Sequence, residues 1–353
     1  MYCDSCGMPK GVGKANIWKS NGVIESKFEK GLRGILCDAG ELNNLFTALS
    51  ARMGYDVTAM VVEAKRKDSE RYARGILDVM RESGAELPGP EDFFRIMGAN
   101  YAVPGFGKVN ILEYRENEGI VLEMEGVFSV PMAQGQAAGV FEAVVNRRGD
   151  VSWEGGPGHG RVTIAVVEGE PELEKRIKSE VDTTAPLVDG GDREYSLCGD
   201  CSAPIELSRE FDWDVEKALI TEKRSGKRFV FDNTRGIVAV MHVLVEELGE
   251  DIEQLLLEIS REYAREYYLA LEGEVTAEEE FERIALLGWG LPTALERENG
   301  SYTLQLLNPF YSPVMAGRVW GLLEVSKGER LDIEDVEERE GVAHIRLSRL
   351  KTA

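Results

Sequence analysis

Four cysteines stand in two Cys-x-x-Cys pairs, Cys3 and Cys6 in YCDSCGMP and Cys198 and Cys201 in LCGDCSAP, 195 positions apart. Together they offer four soft thiolates, the donor set that a tetrahedral structural zinc prefers. The small residues after the second cysteine of each pair, Gly7 and Ser202, leave room for amide-to-sulfur hydrogen bonds. A local zinc ribbon spaces its pairs roughly 15 to 20 residues apart. Here most of a domain intervenes, so the metal is expected to clasp distant segments. An iron-sulfur cluster, two separate dithiol redox pairs, and metal sites completed by another subunit are the competing readings. Cys37 lies outside the pattern and reads as a small buried residue.

The offset of 195 extends past the cysteines. It pairs Pro9 with Pro204, Trp18 with Trp213, Gly31 with Gly226, Arg33 with Arg228, Gly54 with Gly249, Asp56 with Asp251, Glu63 with Glu258, Arg66 with Arg261 and Tyr72 with Tyr267. Further on the offset becomes 182, and Phe128, Pro131, Gly135, Gly139 and Glu142 match Phe310, Pro313, Gly317, Gly321 and Glu324. A period this long predicts a duplicated domain, not a solenoid. The expected division is a first module over 1–167, a polar linker over 168–195 that carries at most one short helix, and a second module over 196–353. Two units of this size suit a chain of 353 residues.

Other reactive groups are few. The three histidines are His159 in a Gly-rich hairpin, His242 in a helix and His344; a helical histidine such as His242 is the residue type that ligates haem iron, although Thr47 holds the matching place. No nucleophile elbow, phosphate-binding loop or dinucleotide fingerprint occurs. Catalysis is therefore not the leading expectation. Aromatic and sulfur-bearing residues cluster instead: Phe94, Met97, Tyr101, Phe106 and Phe128 in the first module, and Trp289, Phe310, Tyr311, Met315 and Trp320 in the second. They read either as the lining of an apolar ligand pocket or as plain core.

The elements that would position these groups follow from periodicity. Each module opens with its knuckle and a hairpin, NGVIESKFEKGLRGILCD or KALITEKRSGKRFVFDN. A helix carrying Leu42, Leu45, Leu49 and Met53, or Ile237, Met241, Leu244 and Leu248, is expected to stop at a left-handed Gly54 or Gly249. A second helix is expected from Asp56 or Asp251, and a third to end near Gly98 or Gly288. Alternation at Ile120, Leu122 and Met124, and at Tyr302, Leu304 and Leu306, predicts half-buried strands. The F-x-x-P-x-x-x-G-x-x-x-G-x-x-E run reads as a helix packed closely on a neighbour, and two more strands close each module. Helices first and an antiparallel sheet after make an α+β class.

This order of elements, with Gly226, Arg228, Gly249, Glu250, Asp251, Phe310, Ala316, Gly317, Gly321 and Glu324, resembles the 4-vinyl-reductase-type domain over residues 218–350. The first module keeps Gly31, Arg33, Gly54, Asp56, Gly135 and Gly139 of that signature. The resemblance implies a small-molecule-binding fold related to haem-nitric-oxide-binding domains and to subunits of vesicle-tethering complexes. It also implies hydrocarbon-like or aromatic ligands, sensing roles, pairing into dimers and, in some members, a cysteine-bound zinc. The chain departs from it by opening each copy with a Cys-x-x-Cys pair.

The formal net charge of -22 argues against binding nucleic acid or an anionic membrane surface, which both demand clustered cations. No basic and then apolar segment precedes Cys3, and no apolar run approaches the roughly 18 to 20 residues that span a bilayer. A cytoplasmic location is the expectation. The leading functional expectation is a ligand-binding or sensing protein, a monomeric pseudodimer or a homodimer about a pseudo-twofold axis, with a four-cysteine zinc clasp and a separate protein as readout partner. A redox or iron-sulfur protein and a structural adaptor are the alternatives.

Overall fold

A computed structural model describes residues 2–84, 86–169, 173, 175, 177, 187–298 and 300–350. In the first half the elements run α1 (Lys10–Ala15), β1 (Asn16–Trp18), β2 (Ile24–Ser26), β3 (Arg33–Asp38), α2 (Ala39–Met53), α3 (Thr58–Glu82), α4 (Pro90–Tyr101), β4 (Lys108–Arg115), β5 (Gly119–Glu125), α5 (Val130–Val145), β6 (Gly149–Gly156) and β7 (His159–Val166). In the second half they run α6 (Ile205–Glu210), β8 (Phe211–Asp214), β9 (Leu219–Glu222), β10 (Arg228–Asn233), α7 (Thr234–Leu248), α8 (Asp251–Leu269), α9 (Ala277–Leu286), β11 (Leu291–Glu298), β12 (Ser301–Leu307), α10 (Ser312–Lys327), β13 (Leu331–Arg339) and β14 (Val342–Arg349). The class is α+β. Residues 170–172, 174, 176 and 178–186, half of the expected linker and the stretch where its short helix was expected, lie outside the described residues.

One six-stranded sheet, in the order β1-β2-β3-β10-β9-β8, is built from both halves. Its two central strands pair antiparallel, with Leu36 opposite Phe231 and Cys37 opposite Val230. Ile35, Leu36, Cys37, Phe229 and Val230 are buried, as expected of strands covered on both faces. Each half adds a four-stranded antiparallel sheet, β4-β5-β7-β6 and β11-β12-β14-β13. The alternating residues Ile120, Leu122, Met124, Tyr302, Leu304 and Leu306 all point into the core.

The helices are set by caps and by glycine. Asp38 Oδ1 accepts from Gly40 N at 2.8 Å and starts α2; Asn233 Oδ1 accepts from Gly236 N at 2.8 Å and starts α7. Helix α5 lies on α3, and α10 on α8, at glycine-width separation. A Cβ added to Gly135 would stand 2.5 Å from Val62 O, and one added to Gly321 2.7 Å from Arg261 O. The glutamate that ends each glycine run locks the contact. Glu142 takes Arg66 Nη1 at 3.3 Å and Gly149 N at 3.0 Å, while Glu324 takes Arg261 Nη2 at 2.7 Å and Leu331 N at 3.1 Å. Each carboxylate thus ties two helices to the start of the next strand.

Several expectations on boundaries differ from what is found. Gly54 caps α2 in the left-handed region (φ 64°, ψ 23°), but Gly249 takes φ 103° and ψ 167°. Only Glu250 separates it from α8, so the chain must turn sharply into a new helix. Helix α3 begins at Thr58, two residues after Asp56, whose Oδ1 accepts from Thr58 N at 2.9 Å. Helix α4 runs through Gly98 to Tyr101, since Gly98 does not take the positive φ with which a glycine ends a helix. Strands β4 and β11 and the short elements α1, β1, α6 and β8 were not foreseen.

The close helix contact predicts a contrast. Gly135→Ala should lower unfolding stability by about 1–3 kcal/mol through overpacking. Gly75→Ala, on the exposed face of α3 with nothing near its Cβ position, should raise it by about 0.5–1 kcal/mol. Urea denaturation followed by circular dichroism measures both.

Candidate functional site

The two knuckles are folded by their own backbones. Cys3 N donates to Met8 O at 2.7 Å and Gly7 N to Cys3 O at 2.8 Å; Cys198 N donates to Ala203 O at 2.9 Å and Ser202 N to Cys198 O at 2.8 Å. Both turns require a positive φ, 76° at Gly7 and 65° at Ser202. Small residues fit there, glycine at no steric cost. Isolated bridges Tyr2–Pro9 and Leu197–Pro204 close the base of each turn.

The turns bring all four sulfurs within 4.8 Å of one another. Cys3 Sγ lies 3.7 Å from Cys198 Sγ, and Cys6 Sγ 3.5 Å from Cys201 Sγ. A tetrahedron with metal-sulfur bonds of about 2.3 Å has sulfurs roughly 3.75 Å apart, so the cluster has the dimensions to hold a metal ion such as zinc. Cys3, Cys198 and Cys201 are buried and Cys6 is half-buried. Burial pushes the Cys6 thiol up to about 12, whereas the amides of Asp200 and Cys201 bring Cys198 down to about 7. A dication among them would favour the thiolate at every position. Beside the cluster the Ser5 hydroxyl donates to Asp200, adding a polar link between the knuckles.

Behind the central sheet, in the first half, lies a cavity of about 510 Å³. Phe94, Met97, Tyr101 and Phe106 line it, together with Ile120, Leu122 and Met124 of β5 and Phe231 of β10. Phe128 stands behind Phe106, ring centroids 5.5 Å apart. The second-half aromatics are buried, and Trp289 reaches across to the first half. Trp289 Nε1 donates to Leu36 O at 2.8 Å and Trp320 Nε1 to Leu331 O at 3.1 Å. Trp289 lies 6.1 Å from Phe310, Tyr311 donates to Glu253 at 3.2 Å, and Met315 is fully buried. The Arg318 guanidinium fills the space beside Trp289, 4.2 Å from its ring, and pairs with Glu41.

Sequence reading missed the polar end of the cavity. Lys65 is 1% exposed and sits between Asp232, at 3.1 Å, and Asp68, at 3.3 Å. The Tyr101 hydroxyl donates to Gln136 Oε1 beside it. The available signal was a lysine and an aspartate, three apart, on the face of α3 that also carries Val61. Among the described residues His242 and His159 are exposed, and no histidine lines the cavity. No described helix is long and apolar enough to cross a membrane.

Comparison with protein-family models and with curated proteins finds no match. Solved structures give partial likenesses. An H-NOX described as "Cs H-NOX mutant with unnatural amino acid 4-cyano-L-phenylalanine at site 5" aligns at 11% identity and a TM-score of 0.27, over 36% of this chain and 80% of that one. A point mutant of T. tengcongensis H-NOX aligns at 13% identity and a TM-score of 0.25, over 34% and 75%. At these values the likeness assigns nothing to the present chain.

The Arg318–Glu41 pair sets a pH-dependent expectation. Burial raises the Glu41 carboxyl to about 7 while the Arg318 charge opposes the rise. Arg318→Met removes that opposition and leaves a buried carboxylate at high pH, costing about 3–5 kcal/mol. Raised further, Glu41 is protonated in the folded variant at low pH, so the loss should be largest at pH 8 and shrink toward pH 5.5. Urea unfolding of both proteins at the two pH values measures it.

Proposed function

We propose that the chain is a tandem pair of modules like the 4-vinyl-reductase-type domain, 1–167 and 196–353 joined through 168–195, closed about a pseudo-twofold axis, clasped by one structural zinc, and used to bind a small hydrophobic or aromatic molecule. The single observation that carries the binding role is the 510 Å³ cavity with apolar walls, within the usual range of about 300–1,000 Å³ for small-molecule sites.

The pairing about an axis is supported by the partners that meet there. Leu36 and Phe231, separated by the repeat offset, face each other in the central strand pair. Cys3 meets Cys198, Cys6 meets Cys201, and Ser5 meets Asp200, all 195 apart. Trp18 Nε1 donates across to Leu286 O at 3.1 Å, and Trp213 Nε1 donates back to Val103 O at 2.7 Å. Each half therefore completes the other, and a further self-association into a homodimer is not needed to bury the sheet.

In this reading the apolar pocket belongs to the first half. The place of Gln136 is taken in the second half by Arg318, and that of Gly236 in the first by Glu41, whose ion pair occupies the equivalent space. When bound, zinc supplies a four-way cross-link between the knuckles, and its binding free energy becomes folding free energy. The role is binding, not catalysis; haem and iron-sulfur chemistry are not invoked, and a readout partner would be a separate protein.

Purified protein is expected to be colourless with one zinc per chain by elemental analysis. Cys198→Ser should abolish stoichiometric zinc and lower stability by several kcal/mol, on the order expected for a structural site. Iron with visible sulfur-to-iron absorption would replace the zinc reading. For the pocket, apolar ligands should raise the thermal midpoint; a panel of alkanes, arenes and fatty alcohols that leaves it unmoved would remove the binding role.

A further inference from the structure

At the polar end of the cavity every carboxylate oxygen already has a donor, while N–H groups of Lys65 and Gln136 lack an acceptor among the described residues, and that difference defines a ligand class. Asp68 Oδ2 accepts from Lys65 at 3.3 Å and its Oδ1 from Arg235 Nε at 3.4 Å. Asp232 Oδ2 accepts from Lys65 at 3.1 Å and its Oδ1 from Asn233 N at 2.8 Å. Every carboxylate oxygen at this end thus has a partner. The Lys65 ammonium has three N–H groups and, among the described residues, uses two. Gln136 accepts from Tyr101 through Oε1, and among the described residues its amide nitrogen has no acceptor. What is left over is N–H donors, one of them on a nearly inaccessible ammonium.

Lys65 has been given room to reach this place. Its Cβ lies under Gly135, where an added Cβ would come within 2.9 Å, and its Nζ occupies the space next to Gly236 that any side chain there would fill. The ammonium is held at the cavity end by two carboxylates, one from each half of the chain. A free donor in that setting costs free energy unless something accepts from it.

Resting on the pocket reading above, we infer that the cavity takes a neutral molecule with an apolar body and a carbonyl-type oxygen, the oxygen accepting from Lys65 Nζ and the Gln136 amide while the body lies against Phe94, Ile120, Leu122 and Met124. Charge selects neutrality. Lys65 and Arg235 already balance Asp68 and Asp232, so a head of either charge would be buried with no counter-ion of its own.

A matched series on one skeleton tests this with the full-length, metal-loaded chain: benzophenone, diphenylmethane, diphenylacetate and diphenylmethylamine, titrated calorimetrically at pH 7.5. Benzophenone is expected to bind once per chain and about tenfold more tightly than diphenylmethane, the size of one hydrogen bond from a charged donor. It should also outbind the anion and the amine. Gln136→Leu, which leaves the Lys65 cluster intact, should reduce the ketone preference while keeping diphenylmethane binding. Lys65→Met combined with Asp232→Asn, which removes one charge of each sign, should erase it; if that variant does not fold, Gln136→Leu decides.

Four compounds binding alike, a preference for either charged head, or a ketone preference untouched by Gln136→Leu would overturn the inference and leave the pocket standing. Binding by none of the four would remove the pocket reading and this inference together.

Discussion

The antiparallel pairing of β3 with β10 is the contact on which the rest of the molecule depends. Neither half owns the six-stranded sheet: three strands from each meet at this seam, and Leu36 and Phe231 face each other in it. Without the seam each half would expose a buried-type strand edge, which is costly and prone to aggregate. Everything functional hangs from it. The cavity borrows Phe231 and Asp232 from β10, and Trp289 hydrogen-bonds the Leu36 carbonyl of β3.

A seam made of two short strands is a modest anchor, and the molecule reinforces it at both sides. Tryptophans cross in each direction, Arg33 reaches the Asn308 carbonyl at 2.6 Å, and Arg228 reaches the Gly105 carbonyl at 2.6 Å. The proposed zinc adds a cross-link of another kind. It joins two knuckles far apart in sequence, so it closes a long loop, where the entropic gain of a cross-link is greatest in principle.

Much of this was legible in the sequence, and the parts that were not have physical reasons. The cysteines, the glycine runs and the alternating strands β5 and β12 depend on local spacing, which a sequence displays. Strands β4 and β11 were missed because each contains a register shift, between Ile111 and Glu113 and between Pro292 and Ala294, that breaks the alternation. Strands β1 and β8, of three and four residues, are too short to show a period. The aromatic clusters look alike in the two halves, yet only Phe94, Met97, Tyr101 and Phe106 face the 510 Å³ cavity. What fills the other side is one buried arginine, Arg318, whose partner Glu41 comes from the opposite half. Lys65 escaped notice for a similar reason: apolar periodicity passes over a charged residue in a core position, and its second carboxylate, Asp232, is 167 residues away.

The central claim is that the two halves are clasped by one metal held by all four cysteines. X-ray absorption at the zinc edge of the purified full-length chain tests it most directly. The account predicts a single shell of four sulfurs at about 2.3 Å with one zinc per chain. A shell with nitrogen or oxygen in place of two sulfurs, or two metals per chain, would mean that the knuckles bind separately and that the clasp does not exist.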